Sequence, residues 1–199
     1  MTAEATTVNR DFLQREAAED IYYGQAVINW ARWFMIAAGV ALVMIVAETP
    51  SELTVGIAPI VGLMMVNFYL HGRRLADKPA NRNLVTISSL LDIALITSVI
   101  ALAQETKGLD NQFYVAYFPS IAAFSFVMSR RSSIIYTGIA MIAYAVTTLT
   151  TTTQIMNGSD VDLGTLESLA TRLIVMAAVG GLASFFWRVQ RDRRRAELG

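Results

Sequence analysis

Cysteine is absent from all 199 residues, and histidine occurs once, as His71. The first absence excludes disulfides, iron–sulfur clusters and thiolate metal sites. The second removes histidine-based zinc sites and haem held between two histidines. Charge is also scarce, at 16% of residues, and the 16 basic side chains balance the 16 acidic ones. A chain without net charge offers no global field for nucleic acid, so no such partner is expected. The N-terminal stretch MTAEATTVNRDFLQREAAEDIYY is polar and acidic. It lacks the basic region and short apolar core of a secretory signal and is expected to stay in the mature protein. No internal repeat supports a carrier built from two inverted halves.

Apolar residues fill the space that charge leaves, at 54% of the chain. A helix crossing the hydrocarbon core of a bilayer needs about 20 mainly apolar residues. Six stretches qualify: 27–47, 53–71, 84–103, 113–129, 133–153 and 167–187. Spans in lipid must satisfy their own backbone polar groups, so these are helices. The expected fold is all-α, a polytopic membrane protein forming a six-transmembrane-helix bundle. Residues 1–26 precede it, with apolar positions Val8, Phe12, Leu13, Ala17 and Ile21 at the spacing of an amphipathic helix. Residues 27–187 form the bundle, and 188–199 are a basic tail or the start of a signalling helix.

Lysine and arginine set the orientation. All of the 16 except Lys107 and Arg172 fall on one side, with Arg32 placed at the mouth of the first span. That side is expected to be cytoplasmic and to hold both termini, in an inner membrane. Trp30, Trp33 and Trp187 fall at the same boundary, where indole rings prefer to sit. The loops on that side are too short for a separate domain, which needs roughly 40 residues or more.

Two charges fall inside spans. Asp92 lies near the middle of the third, and Arg172 about one turn inside the outer end of the sixth. A charge at mid-bilayer costs roughly 2.5–3.5 kcal/mol on insertion scales, so Asp92 is expected to face protein. Helical rise separates the two backbones by about 9 Å in depth. Arg172 is therefore expected to extend outward to Glu167 or lipid headgroups. Asp92 is expected to hydrogen-bond Ser88, Ser89 or a neighbouring helix, with pairing to Arg172 as the competing arrangement. A proton carrier working through Asp92 would normally show a chain of such groups. His71 beside Arg73 and Arg74 reads as interfacial.

Small residues mark close packing. Gly56, Pro59 and Gly62 thin the second span, and the sixth holds the pairs Ala177 with Gly181 and Gly180 with Ser184. The partner of that face is another span of the chain or a second copy. Threonines 147, 148 and 150–153 are expected to bond their own helix backbone.

The polar heptad KGLDNQF, residues 107–113, joins the third and fourth spans, either as a plain connector or as part of a binding site. The stretch LLDIALITSVIALAQETKGLDNQFYVAYFPSIAAFSFVMSRRS around it resembles the corresponding region of six-span sensor histidine kinases of the redox-responsive RegB/PrrB type. In that family an aspartate often follows a leucine pair in the third span. A GGxxNPF heptad precedes the fourth and is associated with quinone binding. Gly108, Asn111 and Phe113 match the heptad, whereas Lys107 replaces its first glycine and Gln112 its proline.

The resemblance implies a sensory input module for a two-component system, with quinone as a candidate ligand. Gly108 would let the backbone approach it, Asn111 and Gln112 would offer amide donors, and Phe113 with Tyr114 and Tyr117 would supply aromatic faces. The family's kinase modules are not among these 199 residues, so no catalytic function is expected of them, and the chain would be the input domain of a kinase if the protein continues past WRVQRDRRRAELG. The alternative is a noncatalytic subunit or assembly factor of a larger membrane complex. Expected partners are the lipid bilayer and either a second copy, as a homodimer, or other membrane subunits.

Overall fold

The computed structural model describes residues 3–76, 81–102, 109, 111–155 and 163–198, with side chains described over 24–76, 81–102, 109, 111–151 and 164–189. Among these described residues six α-helices follow one another: α1 Ala3–Val46, α2 Pro50–Leu75, α3 Arg82–Leu102, α4 Tyr117–Val127, α5 Arg130–Ile155 and α6 Leu163–Leu198. The protein is an all-α membrane bundle. Apolar segments of 21–26 residues in α1, α2, α3, α5 and α6 are long enough to cross a bilayer.

Local chemistry sets the helix boundaries. Thr49 caps α2, its hydroxyl accepting from the Glu52 N–H, while Pro50 occupies the first turn, where a missing N–H costs nothing. The Glu52 carboxylate reaches back to the Glu48 N–H at 3.0 Å, a variant of the capping box. Asn81 caps α3 by accepting from Leu84 N at 2.9 Å. Ser129 separates α4 from α5 and accepts from Ser132 N.

The fourth span differs from the expected helix over 113–129. It is a five-residue 3-10 turn, Gln112–Ala116, followed by the 11-residue α4. At about 2 Å and about 1.5 Å per residue they rise about 26 Å, close to the roughly 30 Å hydrocarbon core. Its surroundings explain its composition. Helices α1, α2, α3, α5 and α6 touch in that order to make a horseshoe, and α4 fills it, packing on α1, α3, α5 and α6. A helix enclosed on several sides can be apolar all round. Accordingly Tyr117, Ser120, Ile121, Ala123, Phe124 and Ser125 are all buried.

Small residues allow these approaches. A Cβ on Gly24 would lie 2.5 Å from Val127, and one on Gly180 would lie 2.6 Å from the Thr137 hydroxyl. Gly56 and Gly62 likewise seat α2 against Val43 of α1 and Leu95 of α3, so these glycines serve packing. Gly180 therefore packs within the chain, whereas Gly181 meets nothing within 4 Å. Outward from this core, Phe34, Ile45, Met65, Ile87, Ile174 and Leu182 are exposed, an apolar surface suited to lipid.

Helix α1 runs without a break from Ala3 into its span, so the described part of residues 1–26 is helical and continuous with the first span. One sequence expectation changes. Arg32 is not at the mouth of the first span. It lies eight residues inside the apolar segment that begins at Gly24, about 12 Å along the helix, and is wholly buried.

Candidate functional site

Two buried polar centres occupy different depths. The first is at the end of the bundle opposite the termini, where the 3-10 turn meets α5 and α6. Asn111 has an extended backbone, and its side-chain oxygen accepts from Phe113 N at 2.8 Å, starting the turn. The asparagine is fully buried, and its amide nitrogen has no partner among the described residues. Nine residues into α6, Arg172 donates from Nη1 to the Tyr144 hydroxyl at 2.8 Å and to the Asn111 carbonyl at 3.4 Å. Its guanidinium carbon stands 4.1 Å from the centre of the Tyr114 ring, within cation–π range.

Tyr144 joins these groups into one cluster. Its ring lies 5.9 Å from that of Tyr114 and 6.0 Å from that of Tyr117. The Tyr117 hydroxyl in turn shares a 2.6 Å hydrogen bond with Thr97. Arg172 is thus held by a ring, a hydroxyl and a carbonyl, with no carboxylate among the described residues. A half-buried guanidinium in neutral surroundings has further N–H groups to offer. The expected outward reach to Glu167 is replaced by this inward cluster, because the aromatic wall and the open carbonyl lie within the side chain's length.

The heptad residues divide. Asn111 and Tyr117 converge near Arg172, whereas Gln112 turns its side chain outward. Phe113 is buried on another face, beside a cavity of about 40 Å³ with Met35, Gly39, Pro59, Leu63 and Ile96. That space is far below the roughly 300 Å³ or more of a typical small-molecule site, so Phe113 is core. Gly108, with Lys107 and Asp110, lies outside the described residues.

The second centre sits near mid-bilayer. Asp92 is the central residue of the 21-residue α3, and its partner is Arg32 of α1, which decides the competition in favour of a neighbouring helix and against Arg172. Arg32 Nε donates to both carboxylate oxygens at 2.9 Å, and Nη2 approaches Oδ2 at 2.8 Å. The same Nη2 donates to Ser88 Oγ at 2.9 Å, and the Ser88 hydroxyl donates in turn to Val85 O. Ser88 therefore bonds the arginine rather than Asp92. On the neighbouring face the Tyr136 hydroxyl donates to Ser89 O at 2.8 Å and bonds Ser120 at 2.6 Å, with its ring stacked on Phe124.

Further buried polar residues share this half of the bundle. Gln25 and Asn29 precede Arg32 by seven and three positions, on the same face of α1. Asn67 of α2 is also buried, and the contact between the Trp33 and Phe68 rings at 5.3 Å places it at the level of Arg32. The side-chain atoms of Asn29 and Asn67, and Nη1 of Arg32, have no partner among the described residues. Sequence reasoning missed this centre because Arg32 was counted with the boundary cations. The 4-then-3 spacing in QAVINWAR was the signal that could have found it.

Comparison with protein-family models, with curated proteins and with solved structures finds no match. The resemblance to sensor-kinase membrane regions therefore rests on the quoted residues alone.

Proposed function

We propose that the chain is a membrane-embedded sensory input module, oriented with both termini in the cytoplasm. A ligand at the Asn111–Arg172 cluster biases the seating of α6. The observation that carries this reading is one uninterrupted helix: α6 holds Arg172 in the cluster and continues to Leu198. The 26 positions between them span about 39 Å, so a shift at one end of a rigid helix reaches the other.

The cluster favours a ligand with an acceptor oxygen beside an aromatic ring, and a quinone has both. Its carbonyl would take the unpartnered Asn111 amide and the free donors of Arg172, and its ring would lie near Tyr114 and Tyr144. Such a ligand competes with the Tyr144 hydroxyl and the Asn111 carbonyl for the guanidinium. It changes output only by binding one seating of α6 more tightly than the other. No enzymatic step is assigned to the chain.

Because the sequence has no cysteine, a single pair of introduced labels reports cleanly. Spin labels at Ile87→Cys and Leu182→Cys, both on exposed positions, measure the α3–α6 distance in nanodiscs. The expected result is a distribution that shifts when a short-chain ubiquinone is added and no longer responds in Arg172→Met. One unchanged distribution under all these conditions would overturn the reading. A stoichiometric second membrane protein retained on purification would favour the accessory-subunit alternative.

A further inference from the structure

At the end of the bundle holding the termini, α5 and α6 leave a groove of about 460 Å³ between them, within the size range of small-molecule sites. Its origin is the asymmetry of two adjacent glycines. Gly180 meets Thr137 and Ile121, pinning α6 to α5 and α4, while Gly181 points into the groove and meets nothing within 4 Å. Gly138 on α5 is equally bare, so each helix presents one position without a side chain to the groove. Exposed Ile134 and Phe185 form apolar walls.

The mouth has the opposite character. Arg130, the first residue of α5, and Arg188, one residue before the end of the apolar segment of α6, both line it. Both are exposed, and no carboxylate among the described residues pairs with either. Two unpaired guanidiniums above an apolar trough complement a molecule with an anionic head and a hydrocarbon tail. We infer that this groove binds an anionic phospholipid, with the phosphate between Arg130 and Arg188 and an acyl chain over Gly138 and Gly181.

Charge argues against a second copy as the occupant. A two-fold contact along the groove would bring the Arg130 and Arg188 of both copies to one axis, gathering four like charges. A lipid phosphate instead brings a negative charge between the two guanidiniums of one copy. The site is independent of Arg172, which lies at the other end of the bundle.

Native mass spectrometry of the full chain, released from nanodiscs containing equal amounts of phosphatidylglycerol and phosphatidylcholine, tests the proposal. Phosphatidylglycerol should be retained in preference. Removing each arginine should weaken its retention about fivefold, and Arg130→Gln with Arg188→Gln together about 25-fold. Gly181→Leu fills the trough without touching the head site and should also displace the lipid, whereas Arg172→Met should leave retention unchanged. The two groove variants remove head and tail contacts separately, so if one fails to fold the other still decides. Equal retention of both lipids would overturn the assignment, as would retention unaffected by a folded groove variant. A lipid-free dimer that cross-links through Gly181→Cys would overturn it in favour of a second copy.

Discussion

Arg32 and Arg172 are both arginines inside an apolar bundle, yet their surroundings make them different objects. Arg32 is neutralised by Asp92 with near-symmetric bonds, is fully buried, and ties α1 to the middle of α3. Arg172 is half-buried and, among the described residues, held by neutral groups on α5 and at the 3-10 turn. A buried pair in good geometry has little reason to move, because separating it exposes two charges to low dielectric. A guanidinium held by a hydroxyl, a carbonyl and a ring can exchange those partners for a ligand's oxygen at modest cost. The first centre fixes the bundle and the second leaves it adjustable.

The largest expected effect comes from unbalancing the first centre. Asp92→Asn leaves Arg32 charged and buried without a counter-ion, and should destabilise the fold by about 3–5 kcal/mol. Thermal unfolding in detergent, followed by tryptophan fluorescence, measures it. Removing both charges, in Arg32→Met with Asp92→Leu, should recover most of that loss. If the double variant is as unstable as the single, the pair contributes more than mutual neutralisation.

Arg172→Met is the matching change at the second centre. It gives up one charge-assisted hydrogen bond, a long one and a cation–π contact, yet leaves no charge stranded. A loss of about 1–3 kcal/mol is expected in the same assay. Salt separates the two sites further. Mobile ions screen partly exposed charges more than buried ones, so variants of Arg172 should respond to ionic strength and those of Asp92 should not. Equal salt dependence would erase the distinction.

The two centres were unequally legible in the sequence. Helices and spans followed from hydropathy, because lipid forces backbone groups to pair within a helix. The threonine expectation held at Thr150 and Thr151, whose hydroxyls bond the carbonyls of Val146 and Thr147, while the side chains of Thr152 and Thr153 lie outside those described. What hydropathy could not supply was which helices touch. Asp92 was recognised as needing a protein partner, but depth along one helix does not say which neighbour faces it. Counting Arg32 by charge alone then placed it at the boundary, although Gln25, Asn29 and Arg32 share a helical face. Arg172 and Asn111 were each singled out, yet their meeting depends on the 3-10 turn that folds residue 111 back against α6. A turn of that kind has no hydrophobic period to announce it.

The smallest expected effect is the most discriminating. Tyr136 and Tyr144 lie on α5 eight residues apart, and each hydroxyl serves one centre. Tyr136→Phe leaves the Ser89 carbonyl and Ser120 hydroxyl buried without that partner, costing about 1–3 kcal/mol, while the Arg32–Asp92 bonds remain. Tyr144→Phe removes one neutral partner from a half-exposed guanidinium that can turn to another acceptor, so about 0.5–1.5 kcal/mol is expected. Despite the smaller loss, only Tyr144→Phe should move the α3–α6 label distances, because it loosens the end of α6 that Arg172 anchors. A shift in Tyr136→Phe instead would mean that the mid-bilayer pair sets the position of α6, and the roles of the two arginines would be exchanged.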